Sequence, residues 1–252
     1  MIRGLALALC AAVLAGLAAC ASGGGGPGGV SAAVADPARP QADRNRDAAR
    51  HPAELMAFAG VRRGWKVADF IPGGGYFTRI FAKSVGPTGK VYAIFPEAFA
   101  SYAKADVESI KAIAADPAYG DVTFATTPNE RFVAAEPLDL VWTSLNYHDL
   151  QFGLSHDQII AFDKSIYAAL KPGGEFVVVD HVAAPGSGWK VASTLHRIDP
   201  EAIKADMAAA GFRLEAESQV LRNPADPHTA TVFDPSIRGH TDQAVLRFRR
   251  PR

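Results

Sequence analysis

From residue 43 onward the chain alternates between short apolar runs and longer segments whose apolar residues recur every three to four positions. The short runs have the length of strands, and the longer segments have the spacing of amphipathic helices. The predicted strands cover 65–71, 91–95, 121–125, 138–145 and 175–180, and the predicted helices cover 43–60, 76–85, 98–114, 155–170 and 199–210. Such alternation is typical of a parallel sheet with helices on both faces. We therefore predict an α/β fold.

The end of the chain departs from this alternation. Two further strands are predicted over 212–220 and 244–250, so the expected sheet has seven strands and is mostly parallel. The segment 223–242 between them is too polar and too rich in proline for a regular element. A loop of that length in a compact domain is usually functional or mobile, and we expect it to cover part of a site.

The first twenty residues have the pattern of a secretory signal. Arg3 precedes an apolar run over 5–17, and small residues lead to Cys20. The run is several residues short of the ~20 needed to cross a bilayer, which disfavours the alternative of an uncleaved anchor helix. Residues 17–20, LAAC, resemble the processing box of bacterial lipoproteins, in which the cysteine becomes the lipidated first residue of the mature chain.

These features divide the chain into three parts. Residues 1–19 are the predicted signal peptide, 20–42 a flexible tether rich in Gly, Ala, Ser and Pro, and 43–252 the folded domain. We expect an exported protein that is anchored in the cell envelope by lipid on Cys20 and faces the periplasm. Ala21 is not the aspartate associated with inner-membrane retention, which favours the outer membrane.

Charge and cysteine content narrow the function classes. The chain has 26 basic and 26 acidic residues, and loss of Arg3 with the signal leaves 25 basic ones, so we expect no nucleic-acid partner. Cys10 leaves with the signal and Cys20 carries lipid, so neither of the two cysteines remains for a disulfide or a metal. The expected partners are a small-molecule acceptor and, through the lipid alone, a membrane. The sequence indicates no oligomeric state.

Three motifs in one order connect the domain to a known family. They are VADFIPGGG at 67–75, LKPGGEF at 170–176 and AAGF at 209–212. The first is similar to an acid-then-glycines turn, the second to a turn before a strand, and the third to a junction between the last helix and the sixth strand. Residues 61–250 thus resemble the class I methyltransferases that use S-adenosylmethionine, most closely a group known only as predicted methyltransferases. The resemblance implies the Rossmann-like class I methyltransferase fold.

The resemblance also implies how the cofactor S-adenosylmethionine is bound. Asp69 organises the end that holds the amino-acid part, and Gly73, Gly74 and Gly75 let the backbone approach the ligand closely. A tight strand-to-helix connection is the alternative explanation of the same glycines. Ile71 stands where the family usually has its first glycine, which makes the turn bulkier.

A second departure concerns the ribose. The family places an acid at the end of strand two to grip both ribose hydroxyls, and this chain has Phe95 there. Glu97, two residues on, is our candidate for that contact. Asn146, after strand four, is a further candidate for cofactor binding.

Polar residues follow strands four and five directly, and ligands bind at such carboxyl ends of open parallel sheets. The candidate catalytic residues are Tyr147, His148, Asp149, His181 and His196. His148 and Asp149 can act together as a general base, since histidine suits proton transfer near neutral pH, or Asn146 and Tyr147 can hold the substrate in line. Alternatively, Asn146 and Asp149 only build the turn. His196 and its neighbour Arg197 can instead clamp an acidic group of the substrate.

Three hypotheses for function remain open, of which the third, a purely structural lipoprotein, gives the polar residues at two adjacent strand ends no purpose. The first is an S-adenosylmethionine-dependent methyltransferase whose acceptor is unknown, with no metal site. The second follows from the export signal, because the cofactor is not expected to be supplied outside the cytoplasm. It is a cofactor-free envelope binding protein, or a metal-assisted enzyme, that uses His148, Asp149, Asp180, His181 and His196.

Overall fold

The computed structural model describes Met1 and residues 27–252. Apart from Met1, the predicted signal peptide lies outside the described residues, and so does Cys20. No helix among the residues described is both long enough and apolar enough to cross a membrane.

One seven-stranded sheet forms the centre of the described residues, with the strand order β3-β2-β1-β4-β5-β7-β6. The strands are β1 (Lys66–Phe70), β2 (Lys90–Pro96), β3 (Val122–Thr127), β4 (Leu138–Ser144), β5 (Leu170–His181), β6 (Arg213–Ser218) and β7 (Gln243–Arg249). Strands β1 to β5 pair in parallel, whereas β7 is antiparallel to both β5 and β6. The prediction of a seven-stranded, mostly parallel sheet is confirmed.

Helices cover both faces of this sheet. The α-helices are α1 (Pro27–Ala35), α2 (Gln41–Arg44), α3 (Asp47–Arg50), α4 (Pro52–Phe58), α5 (Tyr76–Val85), α6 (Glu97–Tyr102), α7 (Lys104–Ala115), α8 (His156–Ala169), α9 (Ala192–Leu195) and α10 (Pro200–Ala209). Short 3-10 helices lie at Pro117–Tyr119 and Tyr147–Phe152. Helices α1, α4, α5 and α7 pack on one apolar face of the sheet, and α8 and α10 pack on the other.

The helix ends show why these segments are helical. The Ser155 hydroxyl accepts a hydrogen bond from the backbone N–H of Gln158, and the Gln158 side-chain oxygen accepts one from the backbone N–H of Ser155, so α8 begins with a capping box. Asp199 caps α10 and Pro200 occupies its first position. The prediction for α5 matches the observed bounds, because its apolar residues form one continuous buried stripe.

Two helices predicted as continuous are divided. The segment 43–60 contains parts of three short helices, because His51 has a φ of 43° and Pro52 lacks the N–H that a continuing helix needs. The segment 98–114 is divided at Ala103, where the backbone leaves helical geometry between α6 and α7. Both predictions of a single helix are wrong.

The flexible tether predicted for 20–42 is wrong for the part that the structure describes. Helix α1 packs against α4 and α5 through small apolar side chains such as Ala33. Arg39 is 1% exposed, and its guanidinium donates to both carboxylate oxygens of Asp47 at 2.8 Å. Alanine-rich sequence can therefore dock without an extended apolar stripe when a buried ion pair fixes its end.

Candidate functional site

The glycine turn between β1 and α5 is closed on one side by α7. A Cβ on Gly75 would lie 2.3 Å from the Cδ1 of Ile113, so the absent side chain allows α7 to approach. The carbonyl of Gly74 accepts hydrogen bonds from Ser109 Oγ and Arg79 Nη1, both at 3.0 Å. A Cβ on Gly73 would meet no atom within 4 Å. Of the three glycines, Gly73 thus has the space for a ligand, and Gly75 serves packing.

The strand side of the same turn is strained. Ile71 is a β-branched residue with a φ of 52°, a conformation that such residues rarely adopt. Two contacts hold it there: its N–H donates to the carbonyl of Ile94, and its carbonyl accepts from Asn146 Nδ2 at 2.9 Å. Backbone strain of this kind persists only where the surroundings fix it, and it concentrates at functional sites.

Asp69 and Arg50 lie beside each other at the ends of β1 and β4. Asp69 is buried and accepts a hydrogen bond from Thr78 Oγ1 at 2.7 Å; burial raises its pKa to about 7, against the opposing effects of Thr78 and the Arg50 charge. The Arg50 guanidinium stacks on Tyr76 and donates to Ser144 Oγ at 3.2 Å. Burial and the neighbouring Arg46 charge lower the pKa of Arg50 to about 10. Arg50 is therefore still a cation at neutral pH.

The end of β2 holds no acid in the cofactor position. Phe95 is fully buried, and Pro96 follows it as the last residue of the strand. Glu97 is exposed and begins α6. The candidate contact between Glu97 and a ribose therefore finds no support in its position, because Glu97 is not among the described residues that line the cavities at this edge.

Two neighbouring cavities open at the carboxyl ends of the parallel strands. The smaller, of about 210 Å³, lies between Ile71, Pro96 and Leu154 and is mostly apolar. The larger, of about 550 Å³, lies beyond the ends of β4 and β5. Both are lined by Phe99, Tyr102, Asp149 and Phe152, so they adjoin each other. Asp69, Gly73, Gly74 and Gly75 are not among the described residues that line them.

A buried carboxylate fixes the polar wall of the larger cavity. Asp180, at the end of β5, accepts a hydrogen bond from the backbone N–H of His148 at 2.8 Å and lies 2.7 Å from His148 Nδ1. Burial disfavours the charged form of His148, but Asp180 and Asp149 outweigh it and raise the pKa of His148 to about 10. His148 is thus held as a cation at neutral pH in the absence of other ligands.

Three side-chain atoms converge on the cavity side of His148. Its Nε2 lies 3.1 Å from Asp149 Oδ1 and 3.3 Å from His196 Nδ1, and the last two atoms are 3.4 Å apart. All three residues line the larger cavity. The structure therefore brings together three of the five candidate catalytic residues.

The other two candidates have different surroundings. His181 lines the larger cavity, where its Nδ1 lies 2.7 Å from Thr241 Oγ1; burial, together with the charges of His148 and Arg197, lowers its pKa to about 4 despite the opposing charge of Asp180. Tyr147 is fully buried, and its hydroxyl donates to Asp163 at 2.7 Å, away from both cavities. His181 is thus a neutral wall residue, and Tyr147 supports the wall from behind.

Arg197 does not clamp a substrate. It is fully buried and forms a two-pronged pair with Asp226, at 2.8 and 3.1 Å, while also donating to the carbonyl of Val182. The pair holds the loop 223–242 against the end of β5. That loop contributes Val232 and Phe233 to the larger cavity, which agrees with the expectation that it covers part of a site.

Sequence patterns did not indicate the aromatic rim. Tyr102, Phe152 and Phe233 are 69%, 57% and 56% exposed, and all three line the larger cavity. Exposed aromatic side chains that cluster on a cavity favour a ligand with an apolar or aromatic body. The residues come from three distant segments, so no local motif could have joined them.

No protein-family model and no curated protein sequence matches this chain. Solved structures do. The [4+2]-cyclase SpnF is 18% identical with a TM-score of 0.59, covering 83% of this chain and 81% of its own. The arsenic(III) S-adenosylmethionine methyltransferase CrArsM from Chlamydomonas reinhardtii is 19% identical with a TM-score of 0.54, over 89% and 73%. A SAM-dependent methyltransferase from Aquifex aeolicus is 16% identical with a TM-score of 0.50, over 78% and 87%.

Similarity at such low sequence identity shows the fold alone, so the chemistry has to be argued from the residues of the site. The neighbours include a cyclase as well as methyltransferases, so the shared feature is the fold. The strand order, the antiparallel β7 and these likenesses together show that the chain has the Rossmann-like fold of the class I methyltransferases.

Proposed function

We propose that this chain is an S-adenosylmethionine-dependent methyltransferase that acts on a small acceptor with an apolar body. The observation that carries the proposal is the position of Arg50. Its guanidinium lies over the ends of β1 and β4, and among the described residues no carboxylate comes within ion-pair distance of it. Arg50 is a half-buried cation that forms no direct ion pair with a described residue, although the buried Asp69 is near enough for their charges to interact. Such a cation at the ligand-binding edge of this fold suits the carboxylate of an amino-acid group.

The other residues at this edge fit the cofactor in part. Gly73 leaves space beside the turn, and Ser144 Oγ adds a polar contact next to Arg50. The smaller cavity between Ile71 and Pro96 is lined mostly by apolar side chains, which suits an adenine ring. The ribose would have no carboxylate from β2. Bound here, the cofactor supplies an electrophilic methyl group.

The larger cavity is the proposed acceptor site. Its aromatic rim holds the apolar body, and its polar wall faces the nucleophile. Transfer to a nucleophile held in line requires mainly positioning, with a base only if the acceptor must lose a proton. His148 does not accept that proton at neutral pH, because Asp180 and Asp149 keep it protonated. Asp149 is the carboxyl group that lines this cavity beside His148, and we assign the proton to its Oδ1.

Calorimetric titration of the purified chain with S-adenosylmethionine tests the proposal. We expect binding by the intact chain and at least tenfold weaker binding by Arg50→Gln, since a charge-assisted hydrogen bond contributes about 1.5–3 kcal/mol. Arg46→Gln is the matched control: Arg46 also lies over Tyr76, but it is half exposed and paired with Asp43. Absence of binding at millimolar cofactor, or equal losses in both variants, refutes the proposal.

One observation favours a second candidate, a cofactor-free binding protein or enzyme on this fold. The β2 end carries Phe95 and Pro96, and α7 closes the Gly75 side of the turn, so two of the family's cofactor contacts are altered. This candidate predicts that the larger cavity binds its ligand with unchanged affinity whether or not S-adenosylmethionine is present. A ligand whose affinity rises with the cofactor contradicts it.

We propose as well that the chain is exported and anchored by lipid on Cys20. The support is the basic start, the short apolar run and the LAAC segment at 17–20. Expression in a bacterial host should place the intact chain in the outer-membrane fraction, and Cys20→Ser should release it. An intact chain that stays in the cytoplasm contradicts the proposal.

A further inference from the structure

The polar wall of the larger cavity has the geometry of one face of a metal coordination sphere. His148 Nε2, Asp149 Oδ1 and His196 Nδ1 form a nearly equilateral triangle with sides of 3.1, 3.3 and 3.4 Å. Nitrogen and oxygen ligands about 2.0–2.2 Å from a tetrahedral zinc ion lie roughly 3.3–3.6 Å apart from one another. The three atoms are therefore placed to bind one ion without rearrangement of the backbone.

The surroundings of His148 have the second feature of such sites. A histidine that binds a metal usually presents its other ring nitrogen to a carboxylate, which fixes the ring and its tautomer. The Nδ1 of His148 lies 2.7 Å from Oδ1 of Asp180, whose side chain is fully buried, and this leaves Nε2 directed to the triangle. Asp180 itself is not one of the three ligands.

His196 is held in a strained position that serves the same arrangement. It has a φ of 55° at the end of α9, and its ring packs between Phe152 and Phe233, with ring centroids 5.3 and 4.8 Å away. Two aromatic contacts thus orient a residue whose backbone is unfavourable, and strain of this kind is typical of functional positions.

We propose that His148, Asp149 and His196 form a binding site for a divalent transition-metal ion, with Zn²⁺ as the best match. Two imidazoles and one carboxylate form a ligand set that suits zinc better than calcium or magnesium. Three protein ligands leave the fourth coordination position of the ion open, and that position faces the cavity of about 550 Å³. An open position is the property of catalytic rather than structural zinc sites.

The cavity defines the class of molecule for the fourth position. An ion there binds an oxygen donor, while the rim of Tyr102, Phe152 and Phe233 contacts an apolar or aromatic body. The proposed ligand is therefore an aromatic or apolar compound with a hydroxyl or carboxylate group. A bound ion lowers the pKa of a coordinated hydroxyl or water, so Asp149 is then not needed as a base.

Metal binding to the full chain, purified without a polyhistidine tag and stripped with a chelator, tests this proposal. We expect one Zn²⁺ per chain by equilibrium dialysis and elemental analysis. His196→Ala and Asp149→Asn should each weaken binding at least tenfold. Both residues are half-buried, so their replacement avoids the unpaired buried carboxylate that loss of His148 would leave. His240→Ala, which removes an exposed histidine outside the triangle, should bind zinc like the parent chain.

The Co²⁺ form separates this site from adventitious thiolate binding. Nitrogen and oxygen ligation gives weak visible bands without the strong near-ultraviolet band of a cobalt thiolate, so Cys10 and Cys20 cannot imitate the site. Circular dichroism of the metal-free variants shows that they are folded. Equal zinc affinity in all folded variants, or a thiolate band, overturns the proposal. The titration needs no S-adenosylmethionine, so its result is independent of the methyltransferase proposal.

Discussion

Both oxygens of the Asp180 carboxylate contact His148: Oδ1 lies 2.7 Å from its ring nitrogen Nδ1, and Oδ2 accepts a 2.8 Å hydrogen bond from its backbone N–H. The end of β5 therefore fixes both the chain path after β4 and the orientation of the His148 ring. Burial raises the pKa of Asp180, but the His148 charge and hydrogen bonds outweigh it and lower that pKa.

Asp180→Asn should destabilise the fold, because it removes one charge of a buried pair. We expect a loss of roughly 2–4 kcal/mol in the free energy of unfolding, measured by urea denaturation. Glu108→Gln is the control, since its pair with Lys111 is solvent-exposed and should contribute less than about 1 kcal/mol. Equal stability of the two variants would show that the Asp180–His148 pair is not a stabilising contact.

Asp69 should make the fold less stable as the pH rises. Burial raises its pKa to about 7 from an ordinary value of 3.8, so the folded state holds the proton more tightly than the unfolded state. The contribution of protonated Asp69 to the free energy of unfolding is fully present below pH 3.8 and is lost as the pH rises through about 7. The loss is at most about 1.4 kcal/mol per pH unit. Urea denaturation from pH 4 to 7 measures it.

Asp69→Asn supplies the comparison, because asparagine does not titrate. The difference in unfolding free energy between parent and variant should fall steadily across that range. Parallel pH profiles would show that Asp69 titrates as an ordinary carboxyl group.

Gly75→Ala should be more damaging than Gly73→Ala. Both glycines have a positive φ, of 87° and 55°, so each substitution carries a backbone penalty of roughly 1–2 kcal/mol. At Gly75 the new Cβ also meets Ile113, which adds roughly 1–3 kcal/mol of overpacking. Denaturation of the two variants measures the difference.

A double variant isolates the packing component. In the Ile113→Ala background, Gly75→Ala should cost less than it does in the parent chain, although Ile110 Cδ1 would still lie 3.1 Å from the new Cβ. An unchanged cost would place the penalty in the backbone alone and would contradict the close approach of α7.

Arg197→Met should loosen the loop 223–242. It leaves the Asp226 carboxylate without its buried partner, and we expect a loss of roughly 3–5 kcal/mol together with faster proteolysis within the loop. Arg222→Met is the matched control, because Arg222 pairs with Asp242 at the same loop but is 41% exposed. Cleavage at the same rate in both variants would show that the buried pair does not hold the loop.

The core of this fold could be predicted from the sequence because local patterns determine it. The apolar stripe of α5 and the capping box at Ser155 depend on residues within a few positions of each other. The docking of α1 could not be predicted in this way. It depends on the pair between Arg39 and Asp47 and on packing against α5, which lies some forty residues further along the chain.

The candidate site likewise has some features that local sequence patterns predict and others that depend on distant contacts. Strand ends four and five were expected to share an edge, and they do bring His148 next to Asp180. Sequence patterns could not indicate Arg50, since what distinguishes it is that no carboxylate of the described residues lies within ion-pair distance. Tyr147 was predicted as a catalytic residue, but its side chain is buried against Asp163. The next residue along the same 3-10 helix, His148, is the one that lines the cavity.

Under the proposed lipidation of Cys20, the docking of α1 also limits how far the domain can move from a membrane. With lipid on Cys20, only seven residue steps separate the anchor from Pro27, the first residue of α1, and a chain of that length spans at most about 25 Å. With so short a connecting segment, the folded domain stays within about 25 Å of the bilayer surface. Acceptors that partition into that surface are then concentrated at the cavity, whereas molecules free in the bulk solution are not.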